Sequence, residues 1–233
     1  MYVLYVLGLV KGMDISVLVR EGLITLVLFL WVMLVVGPLT KLLYQKMRAR
    51  GMTHIKAVYY NRKVIHILAG GLVSVLVPFF YTTPLFPALL ATVMAILTWL
   101  PRKKKQLMDW FQVEENDYEI HFIIMWGVII TLAWLIFHNW WYGVIPVAFM
   151  AFGDGVTGIV RNMLYNQRTK SWIGNIAMAA VVIPIGYIAL GWIGALAGLL
   201  ASIVEHYESN PIDDNITVPL VSFLTILIGT ALF

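Results

Sequence analysis

Long apolar runs are the feature of this sequence that most constrains its fold. A run of about 17–25 apolar residues is long enough to cross the hydrocarbon core of a bilayer as a helix. Only 12% of the 233 residues are charged, against about 25% in an average soluble domain. The sequence therefore predicts an all-α polytopic membrane protein with about seven to eight transmembrane helices. The predicted spans are Leu23–Leu43, Val64–Tyr81, Pro84–Leu100, Ile120–Phe137, Trp140–Val160, Trp172–Leu190 and Ile216–Phe233.

The run Trp192–Val204 is shorter than the others and leaves the number of spans open. It is compatible with a tilted span, a broken helix or a re-entrant segment, and counting it gives eight spans. Met1–Val10 is too short to cross a bilayer and is expected at the membrane interface. Because no repeat, low-complexity segment or linker divides the chain, residues 1–233 are interpreted as a single integral membrane domain.

The basic residues are distributed very unevenly between the two membrane faces. The loops after the second, fourth and sixth spans carry no lysine or arginine, and fourteen of the 16 basic residues lie at the other face. By the positive-inside rule that face is cytoplasmic, and eight spans would leave both termini outside. The acids Asp154, Glu205, Asp213 and Asp214 lie near the same face, so the motif loops are predicted to face the cytoplasm.

Composition excludes several kinds of site. The chain has no cysteine, so it forms neither disulfides nor thiolate metal sites, and its five histidines lack zinc-site spacing. Membrane lipids are expected partners, and no nucleic-acid partner is expected. The run Arg102–Lys105 is predicted to be a topology anchor or an anionic-lipid contact. The mixed run Asp109–Glu119 is predicted to be a solvated loop or an interfacial helix.

The first candidate motif combines two cations with a histidine at the start of a span. His66 follows Arg62 by four residues and Lys63 by three, so a helix places all three on one side. Two fixed cations near the membrane surface suit a polyphosphate. Snorkelling anchors beside a packed histidine are the alternative interpretation.

The second motif places an acid inside an apolar run. Asp154 lies between Gly153 and Gly155, and a carboxylate in a membrane helix costs roughly 2.5–3.5 kcal/mol, less near its end. With Arg161 nearby, the segment is typical of a metal-binding carboxylate beside a phosphate. A buried aspartate paired with an arginine or lysine is the alternative interpretation.

The third motif lies at the start of the sixth span. Ser171 is predicted to be its N-cap, and the free backbone N–H groups of a helix start bind anions. Lys170 adds a positive charge, and Gly174 follows within the first turn. The segment lacks the glycine spacing and preceding strand of a phosphate-binding P-loop. An ordinary capped helix start is the alternative interpretation.

The fourth motif is acidic. Glu205 is followed by Asp213, Asp214 and Asn215, and carboxylate and amide oxygens are the hard ligands that magnesium prefers. Asn215 is also a candidate cap for the last span. A solvated acidic loop is the alternative interpretation.

In order along the chain, these motifs resemble a polytopic family that contains dolichol kinase, phytol kinase and the CTP-dependent diacylglycerol kinase. That family is distantly similar to phosphatidate cytidylyltransferases. The resemblance covers about residues 62–219. Two departures are a Gly155–Gly158 stretch in place of an alanine-rich one, and Ile173 where many members have glutamate. The matching residues are Arg62, Lys63 and His66; Phe152, Gly153 and Asp154; Lys170, Ser171, Gly174 and Ala177; and Glu205, Asp214, Asn215 and Pro219.

The resemblance implies a lipid-alcohol kinase that uses CTP and a divalent cation, Mg²⁺, to phosphorylate an isoprenoid alcohol. It implies that Asp154, with Asp214 or Glu205, holds the metal, and Asp213 is a further candidate ligand. Either Asp214 or His66 is expected to accept the hydroxyl proton. Diacylglycerol kinase, phosphatidate-type cytidylyltransferase and ion-coupled transporter remain the alternatives. The implied nucleotide- and phosphate-binding residues are Arg62, Lys63, Arg161, Lys170, Ser171, Gly174 and Asn215.

Overall fold

The computed structural model describes residues 14–165, 169–207 and 212–232, and this part of the chain is helical. Seven of its helices are long and apolar enough to cross a membrane, which confirms the predicted all-α polytopic class. The expectation for Met1–Val10 lies outside the described residues. The helices are α1 Ile15–Ala49, α2 His54–Phe80, α3 Leu85–Lys103, α4 Tyr118–Phe137, α5 Trp141–Tyr165, α6 Trp172–Val204 and α7 Asp214–Leu232.

Helix α6 is a hairpin of two arms. Its backbone leaves helical geometry at Leu190 and Gly191, where Gly191 has a φ of +62° that favours glycine. The arms, residues 172–189 and 192–204, run antiparallel and approach closely at Gly186 and Gly194, where a Cβ on either glycine would overlap the backbone carbonyl of the other. The run left open by the sequence is therefore the returning arm, and at about 20 Å it is shorter than a full span.

Within the described residues, three π-helical turns interrupt the long helices at Val35–Leu39 in α1, His66–Gly71 in α2 and Phe149–Gly153 in α5. The second and third turns pack against each other, and a Cβ on Gly71 would overlap the Phe152 ring. Such turns often mark functional sites because the extra residue changes the direction of the side chains that follow. His66 begins one of these turns and Asp154 directly follows another.

The segment between α3 and α4 folds back over one end of the bundle. Phe111, Gln112 and Glu119 are buried, so the prediction of a solvated loop or interfacial helix for this run is wrong at those positions. Glu119 accepts hydrogen bonds from Arg102, Arg62 and Gln112. Arg102 therefore supports this internal cluster instead of serving simply as a lipid contact.

Candidate active site

A buried ion cluster joins α2 to α5. Lys63 Nζ donates to both carboxylate oxygens of Asp154 at 2.5 Å, and His66 Nδ1 lies 3.0 Å from Asp154 Oδ2. All three residues are buried. The helical spacing of three residues between Lys63 and His66 brings both side chains to the same carboxylate.

A second cluster joins α5 to both arms of α6. Arg161 forms a two-pronged pair with Glu205 at 2.7 and 2.8 Å, and its Nε donates to the Ser171 carbonyl. Asn175 completes the cluster, because its Oδ1 accepts from Arg161 while its Nδ2 donates to Glu205. Arg161 is only 3% exposed. It is placed to position Glu205, and its predicted phosphate contact stays a prediction.

Lys170 connects this second cluster to the start of α7. Its Nζ lies 3.2 Å from a Glu205 carboxylate oxygen and 3.2 Å from Asp214 Oδ2, and it also donates to the Glu205 carbonyl. Because Glu205 ends one arm of the hairpin and Lys170 precedes the other, the fold of α6 brings them together across 35 residues of sequence.

Three carboxylates converge between the two clusters. Ligand oxygens of Asp154, Glu205 and Asp214 all lie within 4.8 Å of one another. Carboxylate oxygens at this mutual distance are a donor set suited to a hard divalent cation such as Mg²⁺. The residues expected to hold the metal therefore fit it, and Lys63, Arg161 and Lys170 supply one positive charge for each carboxylate.

The carboxylates line a polar cavity of about 750 Å³, counting its open mouth. Arg62 lines its edge, where it donates to Glu119, Asn116 and the Phe111 carbonyl. Asn215 also lines it, and its Oδ1 has no hydrogen-bond partner among the described residues. A buried acceptor in that condition is satisfied when a ligand or water enters.

Asp213 lies beside the carboxylate cluster but outside it. Its Oδ1 is 3.2 Å from His121 Nδ1, and its Oδ2 accepts from Asn215 Nδ2 at 2.7 Å. Burial, together with the neighbouring Asp214 charge, raises the pKa of Asp213 to about 6. Its role as a metal ligand stays a prediction. The last helix begins at Asp214, so Asn215 lies within the first turn and is not the cap.

Two small-residue positions of the motifs have a steric explanation. A Cβ on Gly174 would overlap the Arg161 side chain, and a Cβ on Gly158 would overlap Lys63 and Tyr59. Ser171 occupies the predicted N-cap position of α6, but its hydroxyl contacts Tyr165 and caps no backbone N–H.

Sequence reasoning missed several residues that hold the site together. Asn175 follows Ser171 by four residues. Because residues four apart lie on the same side of a helix, this spacing was sufficient to place Asn175 near the motif. Tyr59 lines the polar cavity one helical turn before Lys63 and carries no motif signal. Glu119 was missed because the run that contains it was interpreted as solvated.

The chain is similar to a plant protein. That protein, from Oryza sativa subsp. japonica, is described as "Probable phytol kinase 2, chloroplastic". The two are 29% identical over 222 residues, which covers 82% of this chain and 70% of the rice protein. No protein-family model and no solved structure matches the chain.

Proposed function

We propose that this protein is a lipid-alcohol kinase that transfers the γ-phosphate of CTP to the hydroxyl of an isoprenoid alcohol. The observation that carries the proposal is the convergence of three carboxylates and two lysines in one polar cavity. Phosphoryl transfer depends mainly on charge neutralisation and alignment, which such a set supplies. Similarity to a probable phytol kinase supports an isoprenoid alcohol as acceptor. CTP rests on the motif resemblance, and the cytoplasmic orientation rests on the basic loops.

In this proposal the residues around the cavity hold the metal, bind the phosphates or position other side chains. Asp154, Glu205 and Asp214 hold Mg²⁺, which when bound offsets the negative charge of the phosphate oxygens. Lys63 and Lys170 bind the phosphates as point charges. Arg161 and Asn175 hold Glu205 in place, and the buried surroundings exclude bulk water from the phosphate.

The transfer forms one bond to phosphorus and breaks one, and the alcohol loses its hydroxyl proton. The alcohol oxygen bonds to the γ-phosphorus, and the bond from that phosphorus to the bridging oxygen of the β-phosphate breaks, which releases CDP. The hydroxyl proton passes to His66 or Asp214, the two candidates that line the cavity. The products are a lipid phosphate and CDP.

The test is transfer of label from CTP in membranes that contain the protein. With γ-labelled CTP and phytol, geranylgeraniol or dolichol, we expect label in a lipid phosphate. With α-labelled CTP, we expect the label to stay in CDP. Absence of label from every lipid would overturn the proposal, and α-label in lipid would indicate a cytidylyltransferase instead. If diacylglycerol were the only added lipid that became labelled, as phosphatidate, the acceptor would be diacylglycerol and not an isoprenoid alcohol.

A pair of matched variants tests whether phosphate transfer depends on the carboxylates of the cavity. Asp154→Asn removes a charge from the carboxylate cluster and is expected to abolish label transfer. Asp109→Asn makes the same chemical change at an exposed position in the segment between α3 and α4, and is expected to leave transfer unchanged. Equal activity of the two variants would contradict the assignment of the site.

A further inference from the structure

An apolar groove lies beside the polar cavity among helices α1 to α4. The space inside it is about 690 Å³ when the open mouth is counted. Its walls are apolar over nearly their whole surface. Representative lining residues are Val32, Ala69, Leu90, Met94, Phe122 and Trp126.

The groove and the cavity share a boundary. Arg62, His66 and Glu119 line both spaces. The His66 ring stacks on Phe122 with ring centres 4.0 Å apart, while its Nδ1 lies 3.0 Å from Asp154 Oδ2. A ligand in the groove would therefore meet polar groups at one end only, which matches a molecule with one polar head and an apolar tail.

The helical rise gives the depth of the groove. Its lining runs along α2 from Arg62 to Val73, a rise of about 17 Å, and along α3 from Leu90 to Thr98, a rise of about 12 Å. These lengths are about half of a hydrocarbon core of roughly 30 Å. The groove therefore has room for the part of a lipid chain nearest its head group, and a longer chain would continue into the bilayer.

We propose that this groove binds the tail of the lipid alcohol and delivers its hydroxyl to the cavity beside His66. This inference rests on the proposed function, because it names where that reaction holds its acceptor. The groove lies within the bundle among four helices, and its polar groups lie at the end it shares with the cavity. A prenyl alcohol, the acceptor of the proposed function, has one apolar tail and one terminal hydroxyl and matches this arrangement.

A photoaffinity experiment tests the groove directly. The full chain in lipid nanodiscs is treated with a prenol that carries a diazirine on its tail, and the labelled residues are located by mass spectrometry. We expect label on groove residues such as Met94 and Phe122. Excess geranylgeraniol should displace it.

Matched variants test the same groove through kinetics. Ala69→Phe fills the groove and competes with the tail for its space, so we expect the KM for the alcohol to rise by roughly tenfold or more. The KM for CTP should stay unchanged. Ala180→Phe makes the same change on an exposed face of α6 and should alter neither constant. Ala69→Val, a smaller change, is expected to raise the alcohol KM less and serves if phenylalanine prevents folding.

The outcomes separate this inference from the proposed function. Two results would overturn the assignment of the groove as the tail site: label confined to the outer faces of the bundle, or an unchanged alcohol KM in both Ala69 variants. Either result would leave the kinase proposal intact. Label in the groove without any phosphate transfer would support the groove and contradict the kinase proposal.

Discussion

At the scale of single residues, Asp154 is stabilised by two side chains of a neighbouring helix. A carboxylate in an apolar helix needs compensation, and here Lys63 and His66 of α2 supply it. The alternative of a buried aspartate paired with a lysine therefore describes this structure. It is compatible with a metal role, because Glu205 and Asp214 approach the same carboxylate.

The buried Lys63–Asp154 pair makes a prediction about stability. Lys63→Met or Asp154→Asn alone leaves an uncompensated buried charge, at a cost of about 3–5 kcal/mol. We expect each variant to unfold at a lower temperature in detergent. The double variant Lys63→Met/Asp154→Leu should recover much of that stability but none of the phosphate transfer. Wild-type unfolding temperatures for both single variants would contradict the prediction.

The space at Gly174 makes a second prediction. Gly174→Ala places a methyl group against Arg161 and Thr157, and overpacking of this kind costs about 1–3 kcal/mol. Because Arg161 positions Glu205, we expect transfer activity to fall along with the unfolding temperature. Gly37→Ala is the control, since a Cβ there meets open space. A loss at Gly37 equal to that at Gly174 would refute the steric explanation.

At the scale of elements, the α6 hairpin and the π-helical turns decide where the motif residues meet. Hydrophobic runs were sufficient to locate the spans, since length and polarity are local properties. The reversal at Gly191 was not predictable from that signal, because an apolar run reads the same in a straight helix and in a hairpin. An apolar run also does not indicate where a π-helical turn adds a residue to a helix. Two such turns lie directly before Asp154 and directly after Ile65.

Close packing of the hairpin arms gives a prediction for α6. Gly186→Leu would force the arms apart, because its side chain would overlap the Gly194 carbonyl and the Phe149 ring. We expect reduced stability and reduced transfer activity together, since Glu205 ends the returning arm. Ala189→Leu adds similar bulk at an exposed position of the same arm and should preserve both. Activity and unfolding temperature, measured in the same preparation, distinguish these outcomes.

At the scale of the whole molecule, different polar contacts stabilise the two ends of the helix bundle. At the site end, Glu119 accepts hydrogen bonds from Arg62, Arg102 and Gln112. At the other end, Glu21 is fully buried and accepts from the backbone N–H and the hydroxyl of Thr82. The sequence did not indicate a structural role for either acid. Which charged residues form a pair depends on how the helices pack, and the sequence pattern does not show this.

The Glu21 contact predicts a stability effect without a direct catalytic effect. Glu21→Ala leaves the Thr82 N–H without its acceptor, at a cost of about 1–3 kcal/mol. We expect a lower unfolding temperature, while the alcohol and CTP KM values measured well below that temperature stay unchanged. Glu115→Ala makes the same chemical change at an exposed position and is the control, which should have little effect. A changed KM for either substrate in Glu21→Ala would show that this end is coupled to the cavity.

Prediction of the site from sequence was most successful where one helix face decided the outcome. The sequence predicts Arg62, Lys63 and His66 on one side of a helix, and in the structure Lys63 and His66 share a face and reach one carboxylate. Arg62 is adjacent to Lys63 but points about 100° away around the helix, toward Glu119 instead. Which of two neighbouring cations contacts Asp154 depends on how α2 is rotated in the bundle, and the sequence alone does not set that rotation.

The pairing of three carboxylates with three internal cations has a thermodynamic consequence. Under the proposed function, the metal and the phosphate must replace contacts of existing ion pairs, so a metal that binds a carboxylate allows the paired lysine to bind phosphate. Linkage requires that each ligand raises the affinity of the other by the same factor. Under the proposed function, the metal and the nucleotide would therefore bind weakly alone and strongly together.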